Sequence, residues 1–380
     1  MPRIAAITTS RADYSHLYWP LKRLHDNPAV DLHVIATAAH TATGFGHTGT
    51  HVVEDGFQVH WLESLLDSDT GIGAAKTIAL STLALADTLS HLQPDILLLI
   101  ADRYEMLAPA NVALALRIPM AHIEGGDISE GAIDNAVRNA LTKLAHVHFT
   151  PTAKAAQRVI AMGEESWRVH HSGAPSLDHL RHSAITPVRD VNKILNLPED
   201  APVTVVAQHP VTLDENTTGE LDAVLQALRD WPHHVVFCYP NADMGARSMA
   251  ERIRVFCRNN PRAQLVTNLP APAYFGLLKR ASLMVGNSSS GIMETPSLGL
   301  PCVNVGRRQQ GRIQAANTLQ ATPDSLDIRR KMQYATRADF TAQCQHVDNP
   351  YGDGQAAKRI AQVLCDLPDK HTLLNKKEWL

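Results

Sequence analysis

Short apolar, β-branched runs alternate with segments of helical length along almost the whole chain, and few architectures accommodate that order. Runs at Ile4–Thr8, Leu32–Thr37, Ile96–Ile100, Met120–Ile123 and His146–Thr150 are separated by stretches such as Tyr14–His25, Gly73–His91 and Ala132–Leu144. A helix between two strands returns the second strand parallel to the first, so the pattern predicts a doubly wound parallel sheet. After a change of texture near Pro187–Asp200 a second series begins, with runs at Val203–Ala207, Val235–Tyr239, Leu265–Val266, Leu283–Val285 and Cys302–Val305. The expected fold is therefore α/β, with two Rossmann-like doubly wound domains facing across a cleft. Residues 1–185 are expected to form the first, 186–352 the second, and 353–380 a closing stretch whose helix, Gln355–Cys365, packs back across both halves. At 380 residues the chain exceeds what one hydrophobic core supports. It carries no short-period repeat, so the two halves share a fold type only.

The net charge of −3, with acidic and basic residues interspersed, gives no basic stripe for nucleic acid and no basic amphipathic helix for a membrane surface. An anionic ligand must then be held by local groups. No run of 18 apolar residues occurs, and Met1-Pro2-Arg3-Ile4 enters a strand pattern directly, which leads us to expect a cytoplasmic protein. The five cysteines are widely spaced without CxxC pairing, so neither a disulfide framework nor a zinc ribbon is indicated. Among the 20 histidines, His146 with His148, His170 with His171 and His233 with His234 lack the helical HExxH arrangement. The spacing of His146 and His148 in a strand fits the cover of a sheet edge, and no metal or cofactor is expected.

In doubly wound folds ligands collect at the carboxyl ends of the strands. The loop after Leu283–Val285 reads Gly286-Asn287-Ser288-Ser289-Ser290-Gly291-Ile292-Met293-Glu294. Small residues opening into a helix point backbone N–H groups, serine hydroxyls and the helix dipole at one spot, which suits a diphosphate. Glu294, about one turn further on, has the reach to accept hydrogen bonds from a ribose diol; purely structural capping is the alternative. The other loops are also polar. Asp102, Glu124, Asp127, Glu130 and Asp134 supply carboxylates in the first half, and His209, Arg308 and Arg312 supply cationic groups in the second. A reaction that lifts a proton from carbon and expels a phosphate ester needs both sets. Asp102 also fits a helix N-cap, and His209 a strand terminus. Glu124, ending a buried strand beside two glycines, must find a partner or a function.

Six strings, taken in order, carry a specific resemblance: Ser10-Arg11-Ala12-Asp13-Tyr14, Asp102-Arg103-Tyr104-Glu105, His122-Ile123-Glu124-Gly125-Gly126, Thr142-Lys143-Leu144-Ala145-His146, Gln208-His209-Pro210-Val211-Thr212 and Gly286-Asn287-Ser288-Ser289-Ser290-Gly291. Together they resemble the hydrolysing UDP-N-acetylglucosamine 2-epimerases of the sialic-acid and related nonulosonic-acid pathways. The resemblance implies a GT-B architecture and a reaction that removes the carbon-2 proton, eliminates UDP to a 2-acetamidoglucal and hydrates it to the free 2-epimer. It makes Asp102, Glu124, Asp134 and His209 the catalytic candidates. UDP would be held by Arg11, Asn241, Ser288, Ser289, Ser290, Glu294 and Arg308. A UDP-sugar and UDP are the implied partners, without a cofactor, and family analogy implies a homo-oligomer, dimer or tetramer. One departure stands out. The family commonly shows an acidic pair followed by Ile-Arg-His, where this chain has Asp134-Asn135-Ala136-Val137-Arg138-Asn139. Asparagine does not titrate, so the sugar site is altered relative to the family. UDP-N-acetylglucosamine and a UDP-2,4-diacetamido-6-deoxy sugar both stay open as substrates, as do a GT-B glycosyltransferase and a catalytically altered UDP-sugar binding protein.

Overall fold

The computed structural model describes residues 1–42, 48–66, 68, 70–241 and 243–377. The chain forms two compact units. The first contains Met1–Asp127, Ile133–Arg181 and Tyr351–Leu380; the second contains Ile128–Ala132 and His182–Pro350.

Seven strands build the sheet of the first unit: β1 (Arg3–Thr8), β2 (Asp31–Thr37), β3 (Val59–Leu62), β4 (Ile96–Ile100), β5 (Met120–Ile123), β6 (Val147–Thr150) and β7 (Val169–His171), in the order β3-β2-β1-β4-β5-β6-β7. Every pairing in it is parallel. β1, β4 and β5 are buried along nearly their whole length, as strands covered by helices on both faces must be. The closing stretch belongs here: Ala356, Ile360 and Leu364 of the helix Ala356–Cys365 join the core of β1 and β4. Its first turn is capped by Asp178, whose carboxylate accepts from the Ala356 and Ala357 amides at 2.9 and 3.1 Å.

The second unit repeats the design with six strands: β8 (Val203–Ala207), β9 (His234–Cys238), β10 (Ala263–Val266), β11 (Leu283–Gly286), β12 (Cys302–Val305) and β13 (Thr318–Ala321), in the order β10-β9-β8-β11-β12-β13. Again all pairings are parallel. Strand order reverses between β1 and β4 in one sheet and between β8 and β11 in the other. These switch points splay the flanking loops apart and open a crevice at the strand ends.

Three strands, β3, β7 and β13, were not anticipated from sequence. Each is three or four residues long, lies at a sheet edge and is largely half-exposed, so none carries a continuous apolar run. One expectation needs correction. His148 does not cover a sheet edge, because β7 pairs outside β6. It is fully buried, and its Nε2 lies 3.0 Å from the Glu164 carboxylate. The helix Gly71–Leu92 is long and apolar enough, by length and composition, to cross a membrane. It buries Gly73, Thr77, Ser81, Leu85 and Leu89 at four-residue spacing, the stripe of an amphipathic helix lying on a core.

Candidate functional site

In the first unit β1, β4 and β5 end side by side, with Ile100 in register with Ile123. Two of these strands leave the sheet through left-handed, non-glycine residues, Ala101 at φ 53° and Glu124 at φ 65°. Such a conformation costs energy in an L-residue, and at a carboxylate it points to a functional constraint. The Glu124 amide is held by the Phe149 carbonyl at 2.7 Å, and its Oε1 meets His16 Nδ1 at 2.6 Å. His16 lies in the helix Arg11–His25, which starts at the end of β1 with Ser10 as its cap. Asp102, the second residue after β4, pairs with Arg138, a guanidinium buried in the helix Asp134–Leu144. Asp134 lies four residues before Arg138 on the same helix, so the two share a face.

Beneath these groups the unit buries further charge. Asp13 accepts from the Thr9 hydroxyl and from the Thr9 amide, the latter at 3.2 Å. Burial raises its pKa, with Arg103 and Thr9 opposing. Arg103 donates to Glu105 at 2.9 Å, and burial also raises the Glu105 carboxyl against the pull of Arg103. His122 donates from Nε2 to the Ala101 carbonyl at 2.7 Å. Burial lowers its pKa to about 4, so it is neutral at pH 7 and braces the left-handed exit of β4.

In the second unit the corresponding strand ends are joined by a single amide. Asn287 is fully buried just after β11, and its Oδ1 accepts from the His209 amide at 2.7 Å. Its Nδ2 donates to the His209 carbonyl at 2.9 Å and to Glu220 Oε2 at 3.2 Å. Gly286 makes that approach possible: at φ 132°, a Cβ there would sit 2.2 Å from the Ala207 carbonyl oxygen. The Asn287 carbonyl accepts from Gln309 Nε2 at 2.8 Å and from Arg308 Nη1 at 3.3 Å. His209 Nδ1 accepts from the Asn241 amide at 3.1 Å, which leaves the proton of the neutral ring on Nε2. Ser290 bonds to the Tyr274 hydroxyl at 2.6 Å, and the Ser290 amide reaches the Ser288 hydroxyl at 3.3 Å. Burial raises the Glu220 carboxyl, opposed by Asn287 and Gln208.

The loop after β12 carries the short segment Ile128–Ala132 within the same unit. Arg312 Nε donates to the Ile128 carbonyl at 3.0 Å. A Cβ on Gly131 would lie 2.8 Å from the Arg308 backbone, so glycine alone fits there.

The sequence candidates divide cleanly by unit. Arg11, Asp102, Glu124 and Asp134 lie at strand ends or first helical turns of the first. His209, Asn241, Ser288, Ser289, Ser290, Glu294 and Arg308 do so in the second. Glu294 closes the short helix Ser290–Met293 rather than sitting inside a longer one, and it is buried. Four residues that sequence reasoning left unassigned hold the candidates in place: His16, Arg138, Glu220 and Asn287. Arg138 and Asn287 stand inside quoted strings, but only tertiary contacts reveal their partners. Asp134 and Asn135 are half-buried, whereas Asn139 is exposed. No group of three or more potential metal ligands occurs among the described residues.

Comparison with known proteins gives one family. Residues 22–365 match the family described as UDP-N-acetylglucosamine 2-epimerase. A UDP-N,N'-diacetylbacillosamine 2-epimerase (hydrolyzing) from Legionella pneumophila is 32% identical over 377 residues, 98% of each chain. A GDP/UDP-N,N'-diacetylbacillosamine 2-epimerase (hydrolyzing) from Campylobacter jejuni is 31% identical over 328 residues, covering 86% of this chain and 85% of the relative. Among solved structures, the Methanocaldococcus jannaschii UDP-GlcNAc 2-epimerase in complex with UDP-GlcNAc and UDP superposes with a TM-score of 0.76, covering 96% of this chain and 99% of that one. At 16% identity that likeness speaks for the fold alone.

Proposed function

Because the chain belongs to the UDP-N-acetylglucosamine 2-epimerase family, we propose that it is a hydrolysing 2-epimerase acting on a UDP-2-acetamido sugar, with UDP-N,N'-diacetylbacillosamine the favoured substrate. The reaction takes the carbon-2 proton, expels UDP, and adds water to the resulting 2-acetamidoglucal to give the free 2-epimer. The observation that carries this reading is Glu124, a strained and nearly buried carboxylate beside the β1/β4 switch point, bonded to a histidine. A carbon acid this weak needs a desolvated base held in one orientation. Asp102 is the second acid/base candidate, oriented by Arg138, and Asp134 the third.

The second unit supplies the anion site. His209 Nε2–H, the serines Ser288, Ser289 and Ser290, and Arg308 would hold the diphosphate, and Arg11 is proposed as a further UDP-binding cation. Glu294 would take the ribose, and Asn241 fixes the His209 tautomer. The names of the two relatives described above support the diacetamido sugar over UDP-N-acetylglucosamine. We further propose a cytoplasmic homo-oligomer. Support for the oligomer is the exposure of Ile72 and Leu83, each 70%, on the outer face of the helix Gly71–Leu92. Light scattering at micromolar concentration tests that pairing.

The direct test compares initial rates of UDP and free-sugar release from the two sugar nucleotides. Higher kcat/KM for the diacetamido sugar supports the reading. Sugar transfer, with UDP release that needs an added acceptor, favours a glycosyltransferase, and tight UDP binding with intact sugar nucleotide favours a binding protein.

A further inference from the structure

Glu124 has a problem that its burial creates. In a reaction of the kind proposed above it gains or loses one proton at each turnover and must be reset before the next. Its side chain is only 8% exposed, so bulk water has little direct access. His16 is 20% exposed and touches the same carboxylate at 2.6 Å, a length typical of a strong, charge-assisted bond. It stands on a helix fixed at both ends of its second turn. The preceding residue's carbonyl accepts from His179 Nε2 at 2.8 Å, and His179 stacks on Tyr18, with ring centroids 5.5 Å apart and planes at 18°. The backbone that carries the imidazole is therefore fixed independently of the carboxylate.

We propose that His16 is a positioning residue that aligns Glu124 and carries its proton between the carboxylate and solvent. This deepens the hydrolysing 2-epimerase reading and rests on it. The step balances without a co-reactant. In the resting pair His16 Nδ1–H donates to the Glu124 carboxylate and Nε2 carries no proton. Once Glu124 has taken the carbon-2 proton, exchange through water moves the ring proton from Nδ1 to Nε2 and the carboxyl turns its O–H toward the ring. That proton then passes to Nδ1 as the Nε2 proton leaves to water, which restores the resting pair with one proton delivered to solvent. If Glu124 delivers a proton to carbon, the same path runs in reverse.

Two measurements test the proposal, one of them independent of turnover. Proton NMR of the whole chain should show a strongly downfield imidazole N–H, or a hydrogen-bonded ring nitrogen in ¹⁵N-histidine spectra. The signal should be lost in both His16→Gln and Glu124→Gln. A wild-type spectrum lacking this signal overturns the pairing whether or not the protein is active. In kinetics, His16→Gln keeps a donor near Glu124 but cannot pass a proton. Its kcat should fall at least about tenfold, with KM for the sugar nucleotide within about twofold. His16→Ala should fall similarly and recover in part on addition of imidazole. Wild-type kcat in His16→Gln would overturn the relay. A rise in KM at constant kcat would reduce His16 to a substrate contact and overturn it as well. A wild-type protein that shows the downfield signal but releases no UDP would instead overturn the epimerase reading, leaving the pairing itself standing.

Discussion

At the switch point of the first unit the side chains nearest the strand ends are ionisable and bonded to one another: Asp102 to Arg138, Glu124 to His16, Arg103 to Glu105. At that of the second, amides, hydroxyls and backbone gather on Asn287, joined by the Arg308 guanidinium, the His209 ring and one buried carboxylate, Glu220. Two sheets of the same design thus present opposite chemistry at the same topological place. Groups that titrate can move protons but are costly to desolvate. Donors fixed by the backbone, together with a guanidinium that stays charged, hold an anion without exchanging protons as it arrives or departs. The division supports the proposal that proton transfer belongs to the first unit and diphosphate binding to the second.

Single substitutions can break that division, and their expected effects fall in a graded series. Glu124→Gln should lose about a hundredfold to ten-thousandfold in kcat, while UDP affinity by calorimetry stays within about twofold. A parallel loss of UDP affinity would place Glu124 in nucleotide binding instead. Arg138→Met leaves Asp102 without its buried partner, and chemical denaturation should report a loss of about 3–5 kcal/mol from the first unit. No change in the denaturation midpoint would mean that Asp102 and Arg138 are separately solvated.

Acid should separate the units as well. Burial raises the Glu164 carboxyl, but hydrogen bonds from His148, Lys376 and Lys143 outweigh it and bring the pKa down to about 2. A depressed carboxyl stabilises the fold fully above its unfolded value, near 4.5, and the contribution disappears as pH falls toward 2. The loss should reach about 3 kcal/mol and fall on the first unit. Glu164→Gln should flatten that acid limb; an unchanged limb would point to other carboxyls. Asn287→Ala strips partners from the His209 amide and carbonyl, costing about 1–3 kcal/mol, and should weaken UDP binding with little effect on the first unit. The smallest effect belongs to Asn139→Ala, within about 0.5 kcal/mol, since the residue is exposed. A larger shift in stability or rate would show that this departure from the family matters to the site.

Much of the fold was legible because β1, β2, β4, β5, β6, β8, β9, β11 and β12 are apolar runs with helical segments between them. The edge strands β3, β7 and β13 were not, since half-exposed residues carry no continuous pattern. Loop position after each strand picked out Asp102, Glu124, His209 and the serines, because doubly wound topology puts polar strand-end residues together. Pairings resisted reading for a different reason. His16 and Glu124 are 108 residues apart, and Asn287 and His209 are 78 apart. No local periodicity encodes such contacts. His148 shows the reverse error, where a local pattern suggested an edge and the pairing of β7 outside β6 made the site interior.

The most direct measurement of the central claim is proton NMR of the purified protein with UDP-N,N'-diacetylbacillosamine, and separately UDP-N-acetylglucosamine, in heavy water. The expected result is UDP release together with a free, 2-epimerised sugar carrying deuterium at carbon 2. Release of a free sugar that keeps its carbon-2 proton, or a sugar nucleotide that stays intact beside tightly bound UDP, would contradict it.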